Sequence, residues 1–266
     1  DGVGIFTSAG FRFGLAAVTL LLWAWLTGKP LAITRFQLSR LAILAVVFFM
    51  QLSLFYSGLS RTTASHGTLI ANILPFAVMI LAHYFIPGDS INAKKILGLV
   101  LGFGGVVLLF IDGASITDIS LTGDLLVLLA VLIWGGHVVY IKKITAGFHP
   151  VQITLYPMLM AAPLFLISGF LFDGQMVRFL DTAIIQSLLY QIFVTASFGL
   201  VAWNTMLQRF GATALHSFIF VMPISGVFFG VSLLGEPLTT HLLLSIGLVV
   251  AGLLVVNRFG NDRRRQ

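Results

Sequence analysis

Charge is scarce in this chain: Asp, Glu, Lys and Arg make up 9% of its 266 residues, against about 25% in an ordinary soluble domain. So few charges cannot coat a water-facing surface of this size. Cysteine is missing altogether, which excludes a disulfide frame, thiolate chemistry and a Cys-built metal site. No G-x-x-x-x-G-K-[ST] segment occurs, so direct use of ATP is not indicated. H-E-x-x-H, G-x-S-x-G and paired carboxylates within an apolar run are also missing, so an intramembrane hydrolase would lack its usual parts. No enzymatic activity, cofactor or metal is expected. The first residue is Asp and no basic stretch precedes the first apolar run, so no cleavable signal peptide is expected.

What is abundant is apolar surface. Hydrophobic residues form 58% of the chain, with 24 Phe and 27 Gly, and mean hydropathy is +1.04. Lipid can solvate such an exterior, and Gly-rich apolar segments suit packed membrane helices. Nine apolar runs approach the ~20 residues that a helix needs to cross the hydrocarbon core: Ile5–Leu26, Leu41–Leu59, Ala64–Pro87, Ile96–Ile111, Leu125–Ile141, Val151–Phe172, Ala183–Leu207, Ala212–Leu234 and Leu238–Val256. Lys94, Lys95, Lys142 and Lys143 flank the two short ones and can snorkel to extend them. Long unbroken runs without alternation exclude a β-barrel. The expectation is an all-α, multi-pass integral membrane protein of the inner membrane, with the lipid bilayer as its partner.

The loops set the orientation. Placing the first loop in the cytoplasm gives that side twelve Lys and Arg residues and the opposite side two, Arg61 and Arg178. The positive-inside rule then puts the C-terminus inside. The net charge of +6 belongs to this pattern. The basic tail 258–266 reads as a cytoplasmic anchor, and no folded basic face accompanies it to suggest nucleic acid.

The chain also repeats itself. With a shift of 148 residues, Arg61 to Ser65 lies over Arg209 to Thr213, and Pro75 over Pro223. With one residue of slip, Gly88-Asp89 meets Gly235-Glu236, and Gly105 meets Gly252. The two copies fall on opposite sides of the membrane. Inverted repeats recur in secondary transporters, where two similar halves exchange conformations around a midplane site. The first repeat occupies residues 1–112 with four spans and the second residues 121–257 with five, so a further first helix would precede Asp1.

The doubled pattern of Ala64-Ser65, Leu74-Pro75, Gly88-Asp89, Gly98 and Gly105, matched by Ala212-Thr213, Pro223, Gly235-Glu236-Pro237, Gly247 and Gly252, resembles the EamA domain of the drug/metabolite transporter superfamily. Arg12 in the first span and Gly123-Asp124, Trp134 and Lys142-Lys143 in the second half support the resemblance. It implies ten helices in two inverted five-helix units, and carriage of small metabolites, amino acids or drug-like solutes, with export the implied direction.

Candidate site residues follow from helix chemistry. Pro75 and Pro223 lie at mid-span and each frees a carbonyl four residues back, which kinks the helix. Such freed backbone is tolerated where it is buried in protein or lines a cavity. Ser65, Thr68 and Asn72 share one helix face, and their repeat mates are Thr213, His216 and Phe220. Two symmetry-related polar faces beside two kinks suit a central pocket, or helix–helix hydrogen bonding by small polar residues. Tyr190 stands in a stripe with Gln186, Phe193, Ser197 and Asn204. Trp134 shares a face with His137. For both aromatics, a pocket wall competes with plain packing.

Arg12 is the one formal charge inside a span. Its burial costs about 2.5–3.5 kcal/mol on insertion scales, so it faces protein, water or an anionic solute group, or else snorkels to the interface about 10 Å away. His66, His83, His137 and His216 are candidates for carrying a coupling proton, against the simpler reading of neutral, hydrogen-bonded imidazoles. Asp89 and Glu236 are expected to cap the helices that follow them. Two other classes remain open. A multi-pass enzyme on lipid-linked substrates needs clustered acids or histidines at one membrane face. A non-transporting scaffold needs no water-accessible cavity.

Overall fold

Lipid offers no hydrogen bonds, so a chain this apolar must pair its backbone within each segment, and the helix does so locally. The computed structural model describes residues 2–62, 64–111, 121–221, 225 and 240–259. The helices are α1 (Ile5–Leu26), α2 (Arg35–Leu59), α3 (Ala64–Ala71), α4 (Leu74–Phe85), α5 (Ala93–Ile111), α6 (Leu121–Ile144), α7 (Pro150–Phe172), α8 (Thr182–Tyr190), a π-helix (Gln191–Gly199), α9 (Leu200–Arg209), α10 (Ala212–Ser217) and α11 (Thr240–Phe259). Short 3-10 turns follow α6 and α10. There is no strand among the described residues. Six helical stretches are long and apolar enough to cross a bilayer: Ile5–Leu26, Arg35–Leu59, His66–Phe85, Leu121–Gly147, Pro150–Phe172 and Thr182–Arg209, with Leu243–Val256 shorter. The chain is a multi-pass helical membrane protein. The run expected over Ala212–Leu234 is helical to Val221, and the rest of it, Ser225 apart, lies outside the described residues.

Packing divides the chain into two compact units, 1–56 with 140–209 and 57–139 with 210–266. Each unit draws on both repeats, so packing and repetition partition the chain differently. In the first unit α1 lies along α7. Ala9, Ala16, Ala17 and Ala24 are all buried, and such small side chains let two helices approach closely. Phe13, Phe48 and Phe165 fill the layer beside them, with Phe13 and Phe48 edge to face at 4.8 Å. Helix ends leave unpaired backbone groups, and here side chains take them. The Asp173 carboxylate accepts from Thr7 N–H and Thr7 Oγ1, each at 2.8 Å, at the start of α1. His149 and Gln152 form a reciprocal capping box on α7. Pro157 and Pro163 lie inside α7, yet the helix runs unbroken.

In the second unit α5 packs on α11 through glycines. A methyl group at Gly98 would stand 2.8 Å from the Gly252 carbonyl oxygen, and one at Gly252 would stand 2.6 Å from the Gly102 nitrogen. Leu99, Val106, Phe220, Val249 and Val256 close the core around that seam. The third span is interrupted: α3 ends at Ala71, and α4 begins at Leu74 with Pro75 in its first turn.

One expectation is corrected here. Asn92 caps α5, its Oδ1 accepting from Lys95 N–H at 2.7 Å. Asp89 instead turns to α10, where Oδ2 accepts from Thr213 N–H at 3.2 Å, while Lys95 Nζ donates to Oδ1 at 2.6 Å. The reason is burial: Asp89 and Lys95 are 7% and 5% exposed, and a buried carboxylate needs a cation and several donors at once. Burial by itself raises the Asp89 pKa. The Lys95 ammonium and the Thr213 N–H outweigh it and hold the carboxyl below its ordinary value of 3.8. Glu236, the other expected cap, lies outside the described residues.

Candidate functional site

Arg12 sits seven residues into α1 and does not reach out alone. Its Nη1 donates to Gln191 Oε1 at 3.0 Å, and its Nη2 donates to the Tyr56 hydroxyl. The guanidinium carbon lies 4.4 Å over the Phe13 ring. Gln191 in turn donates from Nε2 to Ser187 Oγ at 3.1 Å. A polar chain therefore runs Tyr56, Arg12, Gln191, Ser187 across α2, α1, the π-helix and α8. Gln191 opens the π-helix, a rare turn type that recurs at functional sites. Beside this chain is a cavity of about 320 Å³ lined by Ser8, Ser187, Gln191 and the apolar Val3, Ile184 and Leu188.

Elsewhere in the first unit Asn204 Nδ2 donates to Thr154 Oγ1 at 2.9 Å, joining α9 to α7, with both residues buried. Ser197 back-bonds to the Ile192 carbonyl within the π-helix. Tyr190 is 62% exposed and Phe193 52%, and Gln186 is exposed too, so the expected stripe divides into an exposed first part and a buried second part of Ser197 and Asn204.

In the second unit the candidates are mostly closed off. Asn72 is 4% exposed and donates from Nδ2 to the Thr68 carbonyl at 2.8 Å. Its Oδ1 is buried with no partner among the described residues. His216 is 1% exposed and its Nδ1 lies 3.0 Å from the Ala212 carbonyl oxygen. Thr213 is held by Asp89, and Phe220 belongs to the core around Leu99. Trp134 is half-buried on α6, and His137 is buried one turn on. At the start of α3, His66 Nδ1 lies 3.1 Å from Asp124 Oδ2, and Thr62 Oγ1 donates to the other oxygen. The Ser65 side chain and Pro223 lie outside the described residues.

The sequence singles out Arg12 but not the two side chains that it bonds, Gln191 and Tyr56. The signal was available: a lone intramembrane cation requires acceptors from other spans, and Tyr and Gln in spans are the natural suppliers.

Comparison with known proteins places these features in context. The model of the EamA-like transporter family matches residues 1–111 and 121–258. The uncharacterized transporter YoaV of Bacillus subtilis is 25% identical over 97% of this chain and 88% of its own length. The "Probable amino-acid metabolite efflux pump" of Escherichia coli is 27% identical over 70% of this chain and 64% of its own length. A solved crystal structure superposes with a TM-score of 0.84, covering 96% of this chain and 89% of that one, at 15% identity, a likeness of fold alone.

Proposed function

Since the chain belongs to the EamA-like transporter family, we propose that it is a secondary carrier that moves small metabolites, amino acids or drug-like solutes across the inner membrane by alternating access, in the export direction. The observation that carries this is the doubled family match over nearly the whole length, joined to relatives that are named as transporters. The interrupted third span fits the same reading. Broken helices at membrane depth are how such carriers offer polar backbone to a solute. The C-terminus is proposed to be cytoplasmic on the twelve-to-two distribution of Lys and Arg.

Solute contacts are proposed for Ser65, Thr68, Asn72, Thr213, His216, Phe220, Trp134, Tyr190 and Arg12, with Pro75 and Pro223 as the points of bending. Asn72 and His216 are closed in the conformation described, so contact requires a second conformation in which they open. The absence of native cysteine makes this directly testable. Asn72→Cys and His216→Cys, placed one at a time in proteoliposomes, should react with a water-soluble maleimide, and the reaction rate should change when solute is added. Both sites staying inert under every condition would leave them as packing residues. For the carrier itself, preloaded proteoliposomes should exchange a labelled amino acid or metabolite drawn from a panel. Failure to move any solute down any imposed gradient would favour the scaffold reading.

A further inference from the structure

We infer that Arg12, with Gln191 and the cavity walled by Ser8 and Ser187, recognises the carboxylate of an anionic small solute. The inference deepens the carrier reading by naming the chemical class of its substrate, and it rests on that reading.

The first ground is a cation with no acidic partner among the described residues. Within the nine apolar runs of the sequence Arg12 is the only formal charge, and such a group should be paired. Its partners are a side-chain amide, a phenol and an aromatic ring, all neutral. The four acids among the described residues are committed elsewhere. Asp89 holds Lys95, Asp124 holds Thr62 and His66, Asp173 caps α1, and Asp181 caps α8 through Ile184 N–H.

The second ground is donor geometry. A guanidinium carries five N–H donors, and two of them, one on each terminal nitrogen, are used among the described residues. Nε is buried, with no hydrogen-bond partner among the described residues. Nε–H and a second N–H on a terminal nitrogen are left over, and two such donors on one edge of a guanidinium make the fork that a planar carboxylate accepts in bidentate fashion.

The third ground is space. Gln191 is at once the acceptor of Arg12 Nη1 and a wall of the cavity, and Ser8 stands one turn before Arg12 on α1. The cavity is an open groove of about 320 Å³, near the lower end of small-molecule pocket volumes, and Arg12 lies behind Gln191 rather than on its wall. Hydroxyls of Ser8 and Ser187 supply secondary donors, and Val3, Ile184 and Leu188 an apolar wall.

The test uses an isosteric pair that differs in charge, benzoate and benzamide, with the full chain in phosphatidylcholine nanodiscs. Binding is read by tryptophan fluorescence and by thermal stabilisation, so that it does not depend on transport. Benzoate should bind and benzamide should not. Arg12→Gln should weaken benzoate by about 30-fold or more, the loss that follows when one partner of a buried charge pair is removed. Arg12→Lys should fall between, since it keeps the charge and loses the fork. Ser8→Phe, which fills the cavity and leaves the guanidinium in place, should also abolish binding.

Equal binding of benzoate and benzamide would overturn the inference, as would unchanged benzoate affinity in Arg12→Gln. If Arg12→Gln does not fold, wild-type affinity in both Arg12→Lys and Ser8→Phe overturns it. A phosphatidylglycerol arm separates a soluble carboxylate from a lipid headgroup. Should that lipid displace benzoate and stabilise the wild type but not Arg12→Gln, the guanidinium serves lipid and the solute reading is overturned. The carrier reading fails separately: exchange of solutes without charge discrimination sinks only this inference, whereas benzoate binding with no solute movement sinks only the carrier.

Discussion

Asp89 and Lys95 show how much one buried pair can decide. Their ion pair ties the segment after α4 to the first turn of α10, 124 residues further on. Removing one member leaves the other charge buried and unpaired, which costs about 3–5 kcal/mol. Asp89→Asn should therefore lower the melting temperature in detergent markedly, and Asp89→Asn combined with Lys95→Met should recover most of the loss. Because the folded Asp89 pKa is lowered from 3.8, its contribution is present above that value and is lost as pH falls through the folded value. The gap in stability between wild type and Asp89→Asn should thus narrow on acidification below about pH 4. A gap that does not change with pH would show that the carboxylate charge is not what holds α10. His149 follows the same sign. Burial, with the positive charge of Lys29 behind it, lowers its pKa, so the neutral ring that accepts Val151 N–H persists below about pH 6.5, and its contribution, full above about 6.5, is lost as pH falls through the lowered folded value.

At the scale of elements, the seam between α5 and α11 depends on missing side chains. Gly252→Ala puts a methyl group 2.5 Å from the Gly98 carbonyl oxygen, and the obstacle is backbone, which cannot rotate away. Overpacking of this kind costs about 1–3 kcal/mol, so Gly252→Ala should unfold earlier in a thermal scan. Gly104→Ala, whose methyl group meets no atom of the described residues within 4 Å, should not. Equal effects would mean that the seam tolerates separation of its helices. From the sequence a kink is expected at Pro75, because it has no N–H to give the Ala71 carbonyl and its ring clashes there; in the structure α3 ends at Ala71 and α4 begins at Leu74. The π-helix at Gln191–Gly199 was not legible, because its composition is that of any apolar helix and one extra residue per turn leaves no mark on hydropathy. Pro157 and Pro163 leave α7 continuous over Pro150–Phe172, since neighbouring segments can take up freed backbone groups in a packed bundle.

For the whole molecule, the charge distribution makes a plain topological prediction. In a chain without cysteine, Lys29→Cys should be hidden from an impermeant maleimide on intact cells, and Gly174→Cys should be labelled. The reverse pattern would invert the assignment of the C-terminus. The sequence by itself determined that this chain crosses a membrane many times as helices, because twenty apolar residues admit no other satisfied backbone in lipid, and it carried the doubled pattern from which the family is read. It also singled out Arg12, a lone charge being visible without any fold. Only the tertiary structure decided what each such group meets. Gln191 is 179 residues from Arg12 and Tyr56 is 44, and Thr213 is 124 from Asp89. Pairings at those separations depend on how helices pack side by side, and packing is fixed by shape and by buried hydrogen bonds rather than by hydropathy along the chain.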